Sequence, residues 1–142
     1  MAQGIDGPPH QLIRKYLDDP RSVVLGTASF WEGVDLAGES LKVLLVARLP
    51  FSVPTDPVFA ARSELYEEPF MEYALPQAVL RLRQGSGCLI RTKSDKGAVV
   101  ILDRRVLSRR YGKAFLNSLP PMTLKTCGLH RLGDEIGDWI GA

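Results

Sequence analysis

Leu41-Lys42-Val43-Leu44-Leu45-Val46-Ala47-Arg48-Leu49 is the stretch on which the fold turns. Its apolar residues run on without alternating with polar ones, so a strand here is covered on both faces. Ala98 to Leu102 (AVVIL) has the same character. Ser22 to Leu25 (SVVL) is a shorter run of that kind, closed by Gly26-Thr27. Helical patterns separate these runs, and that alternation argues for a parallel α/β sheet. The spacing predicts central strands over 22–27, 41–49 and 97–102. Ligands in such sheets bind past the carboxyl ends of the strands. The unusual residues sit there: Gly26-Thr27 and the loop after it, Arg48-Leu49-Pro50, and Asp103-Arg104-Arg105.

Residues 1–9 are rich in Gly and Pro and read as loose. Leu12, Ile13, Tyr16 and Leu17 recur at helical spacing over 10–18, and Pro20 ends that helix. Residues 28–40 read as a structured loop, and Pro50, Pro54 and Pro57 stiffen the stretch after the second strand. Pro57 suits the first position of a helix reaching about Glu68. A further helix is expected from Pro76 to Ile90 or Arg91. Gly85 and Gly87 inside it each cost about 1 kcal/mol, which suggests close approach of a backbone or ligand. Asp103 can cap a helix to about Leu119, stopped by Pro120-Pro121. In the tail, Ile136, Trp139 and Ile140 suggest a short helix.

The 142 residues carry 18 basic and 16 acidic side chains, a formal net charge of +2. With 45% hydrophobic and 24% charged residues the composition is that of an ordinary globular domain, so disorder, collagen and coiled coil are disfavoured. The mean charge hides a gradient. Residues 1–70 sum to −4 and residues 71–142 to +6, while 81–113 alone hold 10 basic and 2 acidic side chains. Such a field attracts phosphate, although a solvated helix face has the same signature. No apolar run approaches the ~20 residues of a membrane span. The first residues lack the basic and apolar regions of a signal peptide. Cys88 and Cys127 form no CxxC, which disfavours a disulfide framework or zinc site and points to a reducing, cytoplasmic setting.

There is no G-x-x-x-x-G-K-[ST], no strand-to-helix G-x-G-x-x-G, no H-E-x-x-H and no G-x-S-x-G in the chain. A self-contained hydrolase or dehydrogenase is therefore poorly supported. Two stretches still stand out. One is Leu25 to Asp35 (LGTASFWEGVD). The other is Gln84 to Arg91 (QGSGCLIR), followed by Asp95 and Gly97. Taken alone their residues have ordinary readings. Phe30 and Trp31 suit a core or interface, or base stacking. Asp35 suits a turn, Arg91 a helix C-terminus, and Cys88 a buried hydrophobe. Arg104, Arg105, Arg109 and Arg110 suit a solvated helix face.

In combination these stretches resemble the DinG/XPD-like superfamily 2 DNA helicases. FWEGVD after a GT-ending strand resembles their motif V. Gln84 to Arg91 resembles motif VI, Q-x-x-G-R-x-I-R. Leu49 to Pro57, Tyr73 to Gly85, Asp95 to Arg105, Tyr111-Gly112 and Ser118 to Pro120 also look DinG-like, so the resemblance runs from about Gln3 to Pro121.

The resemblance implies a three-layer α/β/α RecA-like domain, of the P-loop NTPase-like class, with a mainly parallel sheet truncated at its N-terminal edge. Residues 1–121 would be a partial C-terminal RecA-like helicase domain and 122–142 an extension. The first domain, with its Walker motifs, is expected elsewhere, as is the motif IV strand. ATP and Mg2+ would bind only together with that missing N-terminal domain, and no iron–sulfur cluster belongs to this chain. The expected partners are single-stranded DNA, ATP and the missing domain, with no membrane.

Arg91 matches the second motif VI arginine and would stabilise charge on the transferring phosphoryl group, with Gln84 orienting a neighbour. Gly33, Asp35, Glu32 and Gly87 would support the ATP site. Thr27, Ser29, Phe30 and Trp31 would meet nucleic acid. The chain departs from the pattern at Cys88, where the family has an arginine. A thiol cannot make bidentate, charge-assisted bonds to phosphate. Two readings follow: the second motor half of a helicase, or a non-catalytic nucleic-acid-binding or regulatory module derived from it. An unrelated α/β nucleotide-binding protein is a third.

Overall fold

The computed structural model describes residues 1–19, 21–27, 30, 41–87, 89 and 96–141. Two strands, β1 (Val43–Val46) and β2 (Ala98–Ile101), pair in parallel with Val43 opposite Ala98 and Val46 opposite Ile101. The intervening chain crosses over through helices, as a parallel connection requires. These are α2 (Pro57–Ser63), a π-helical turn (Phe70–Ala74) and α3 (Leu75–Gly87). α1 (Pro9–Asp18) precedes β1. After β2 come α4 (Arg105–Ser108), α5 (Gly112–Ser118), a 3-10 turn (Leu129–Arg131) and α6 (Leu132–Ile140). The described residues thus form an α/β arrangement.

Local chemistry explains several boundaries. The Asp56 side chain accepts the Phe59 N–H at 2.8 Å and Pro57 supplies a pre-set φ, so α2 starts where expected. It stops at Ser63 instead of Glu68. Glu64 and Glu68 would repel at helical spacing, and Pro69 disfavours helical backbone in the residue before it. The next helix begins before Pro76 because a wider turn absorbs that proline. Pro76 has no N–H to donate, and the Leu75 N–H bonds the Phe70 carbonyl five residues back. Glu72 folds back to accept the Glu68 N–H at 3.0 Å.

The core lies where α3, α4 and α5 meet the strands and the loop after β1. Leu75, Ala78 and Leu82 recur on one face of α3 and pack with Val46, Leu49, Val106, Phe115 and Leu119. An aromatic cluster extends it. Phe51 meets Phe70, Tyr111 and Phe115 at centroid separations of 5.7, 5.7 and 5.6 Å, within the range of favourable ring contacts.

Three expectations are corrected here. The single helix expected from Asp103 to Leu119 is broken into α4 and α5. The chain is extended at Arg109, which turns Tyr111 into the aromatic cluster and presses Gly112 against the Val106 carbonyl. The stretch 22–27 is not a central strand of the β1–β2 sheet. It makes one parallel bridge, Leu25 to Ala2, and Val23 and Leu25 stay exposed because no described element packs over them. That pairing also overturns the expectation of a loose N-terminus. Val23 O accepts from the Met1 amino group, Leu25 N–H donates to Met1 O and Leu25 O accepts from the Gln3 N–H, all within 2.9 Å.

α6 occupies the tail, where a short helix was anticipated. Glu135 accepts from Lys125 and Arg131 at its exposed side, and the Trp139 Nε1–H donates to the Gly97 carbonyl at 3.1 Å. Among the described residues no helix is long and apolar enough to cross a membrane.

Candidate functional site

Parallel pairing puts the carboxyl ends of β1 and β2 side by side. Arg48-Leu49-Pro50 and Asp103-Arg104-Arg105 leave from this common edge. Asp103 binds the two exits together. Its carboxylate accepts the Leu49 N–H at 2.9 Å, the Arg105 N–H at 3.0 Å and the Arg105 guanidinium at 2.6 Å. The bond to the N–H of Arg105, the first residue of α4, gives Asp103 part of the capping role expected of it, although Arg104 stands between it and the helix. The bond to Leu49 ties the two strand exits together as well. The Arg105 guanidinium also lies 5.5 Å from the Phe51 ring centroid, a cation–π contact that fixes it from a second side.

The Arg105 guanidinium, helped by the Leu49 and Arg105 N–H groups, holds the Asp103 carboxyl well below the usual carboxylate range, although burial opposes the shift. The lowered folded-state value makes this ionised carboxylate stabilising above the unfolded value of about 4, and that contribution is lost as pH falls below it. Asp103→Asn is expected to cost about 1–2 kcal/mol at pH 7, because the Leu49 N–H and the part-exposed Arg105 lose a charged acceptor. Urea midpoints followed from pH 7 to pH 3 should converge for the two proteins. A constant gap across that range would rule out the linkage.

An open groove of about 360 Å³ lies at this edge, lined by Ala47, Arg48, Leu102, Asp103, Arg104 and Arg105. Arg48 and Arg104 are exposed, and neither makes an ion pair among the described residues.

The motif V and motif VI residues are only partly described. Thr27 is exposed, and its N–H and hydroxyl both donate to Gln3 Oε1, at 2.9 and 3.1 Å. Phe30 is half-buried; its N–H bonds Thr27 O at 2.9 Å and its side chain lies close against Gly26. Gln84 is exposed on the last full turn of α3, beside buried Gly85 and Ser86. Gly87 ends α3, and among the described residues no heavy atom would lie within 4 Å of a Cβ placed there. Ser29, Trp31, Glu32, Gly33, Asp35, Cys88 and Arg91 lie outside the described residues. Among the described residues the structure therefore brings Thr27 and Phe30 together.

Two contributors escaped the sequence reading. Gln3 takes both donors of Thr27, and no local pattern announces a partner 24 residues away. Arg81, counted in the basic stretch, instead reaches across to donate to Ser52 Oγ at 2.6 Å, bracing the proline-stiffened loop. Among the described residues no three His, Cys, Asp or Glu side chains converge.

Residues 1–122 match the helicase C-terminal domain family. The chain is 47% identical over 120 residues to the ATP-dependent DNA helicase DinG of Photobacterium profundum, covering 79% of this chain and 17% of the relative. It is 44% identical over 115 residues to the ATP-dependent DNA helicase YoaA of Escherichia coli, covering 78% and 18%. It is 44% identical over 125 residues to the 3'-5' exonuclease DinG of Bacillus subtilis, covering 84% and 13%. The chain thus spans less than a fifth of the length of these curated relatives. With that match over most of its length, and with relatives of this kind, the chain belongs to the helicase C-terminal domain family as a DinG-like member.

Proposed function

We propose that this chain is the second motor half of a DinG-like, superfamily 2, ATP-dependent DNA helicase. In this reading it supplies the arginine side of an interdomain ATP site and part of a single-stranded DNA track. One observation carries the reading: identity of 44–47% to proteins named ATP-dependent DNA helicases, sustained over nearly four fifths of the chain. The parallel β1–β2 pair with helical crossover is consistent with completion as a three-layer RecA-like sheet.

ATP hydrolysis develops charge on phosphoryl oxygens, and an arginine from the facing domain neutralises it. Arg91 takes that role, Gln84 orients a neighbour, and Glu32, Gly33, Asp35 and Gly87 shape the cleft around the nucleotide. Thr27, Ser29, Phe30 and Trp31 face the DNA track. In this reading ATP and Mg2+ bind only together with the facing domain. The cytoplasm, and repair of DNA, are the proposed setting.

Cys88 at the position of a family arginine favours a second reading, a non-catalytic nucleic-acid-binding or regulatory module. The purified 142-residue chain is expected to show no DNA-stimulated ATPase, because it contains no Walker A motif. Turnover by the chain alone, above a mock preparation, would sink both readings. Mixing it with a Walker-bearing first half of a DinG-like helicase and restoring arginine at 88 separates them.

A further inference from the structure

Arg48 follows β1 by two residues and Arg104 follows β2 by three, so the parallel register delivers both to the same edge of the sheet. Both line the open groove there, and both are exposed. Two guanidinium groups lining one groove repel each other unless an anion joins them. The carboxylate beside them is already engaged. Asp103 gives its oxygens to the Leu49 N–H and to the Arg105 N–H and guanidinium. Arg105 in turn is held by Asp103 and by the Phe51 ring. One arginine of the three is thus consumed in bracing the groove floor, and two remain without a protein counterion among the described residues.

We infer that this groove is a phosphodiester-binding site for single-stranded DNA, with Arg48 and Arg104 as the contacting cations and Arg105 as a positioning residue. The inference rests on the helicase reading for the identity of the ligand, and it adds a contact point outside motifs V and VI. Guanidinium suits the task, since its planar fork can pair two oxygens of one phosphate. The groove has few apolar lining residues, so it holds the backbone and does not stack bases; its recognition is independent of sequence.

The test uses the full 142-residue chain and a fluorescein-labelled dT20 followed by anisotropy from 25 to 300 mM NaCl. Each phosphate contact on a single strand contributes about 0.7 to the slope of log K against log salt. Arg48→Ala with Arg104→Ala should lower the slope by about 1.4 and weaken binding about tenfold per arginine. The lysine pair Arg48→Lys with Arg104→Lys should keep the slope. Arg109→Ala with Arg110→Ala, on the exposed turn between α4 and α5, is the comparison, and a smaller change is expected there. Equal loss from both alanine pairs would mean a diffuse field and would overturn the site.

An unchanged slope in the Arg48/Arg104 pair would overturn it as well. So would loss of binding to a fluorescent ATP analogue with dT20 binding intact, which would make the anion a nucleotide triphosphate. Far-UV circular dichroism and thermal midpoints check that the variants fold. Wild-type chain that fails to bind dT20 at 25 mM NaCl would overturn both the site and the DNA-track part of the helicase reading. Binding that ignores the two arginines overturns the site alone. The ATPase reconstitution tests the ATP-site part independently.

Discussion

Gly112→Ala is expected to lower the thermal midpoint by about 10 °C or more, corresponding to about 3 kcal/mol for a chain of this size. A Cβ at residue 112 would lie 2.5 Å from the Val106 carbonyl carbon and closer still to its oxygen. The obstacle is backbone, so no side-chain rotation relieves it. The elbow between α4 and α5 must open instead. Opening it moves Val106 and Phe115, both buried in the core, and pulls Tyr111 from its edge-to-face contact with Phe51. Ala is intrinsically a better helix former than Gly by about 1 kcal/mol, so a purely local view of α5 predicts stabilisation. The two views differ in sign, and a midpoint measured by differential scanning calorimetry decides between them. A rise on Gly112→Ala would refute the close approach.

Cys88→Arg is expected to raise DNA-stimulated turnover by roughly 10³–10⁵-fold in a two-domain reconstitution, the range that arginine fingers supply. The expectation belongs to the helicase reading proposed above. The thiol cannot place delocalised positive charge and two parallel donors on a phosphoryl group. The gain should appear in kcat, since the arginine acts on charge that develops in the transition state. Arg91→Ala in the same background should remove the gain, because neighbouring groups that act as a unit are not additive. No increase with arginine at 88, in a preparation whose first half is otherwise competent, would favour the non-catalytic module. Single-stranded DNA binding without ATPase would then be the whole activity of this segment.

The sites were legible in the sequence to different degrees. The order and spacing of Leu25 to Asp35 and Gln84 to Arg91 pointed to the helicase family, and the match of residues 1–122 bears that out. The resemblance also marked Cys88 as a departure. The groove edge was legible only as three separate clusters of unusual residues at strand ends. Which clusters meet depended on which strands pair. The structure joins Arg48-Leu49-Pro50 to Asp103-Arg104-Arg105 through a hydrogen bond between residues 54 apart in sequence. Gly26-Thr27 is instead tied to Gln3.

By itself the sequence determined the family and most element types, the strand expected over 22–27 and the unbroken helix over 103–119 being the exceptions. The continuous apolar runs marked β1 and β2, although Leu45 is exposed and β2 only half-buried among the described residues, and not covered on both faces as expected. Asp56-Pro57 presets a helix start, and ordered motifs carry ancestry. Tertiary structure alone decided the rest. It placed Leu25 beside Ala2 and not in the β1–β2 sheet, because one backbone edge can satisfy any other of suitable register. It split 103–119 into two helices, with extended backbone at Arg109 and Tyr111 seated in the aromatic cluster. It also sorted the basic stretch 81–113. Arg81 and Arg105 hold loops and strand ends, while exposed Arg104 lines the same groove as Arg48. Net charge depends on composition, but the charge available to a ligand depends on which cations the fold has already paired.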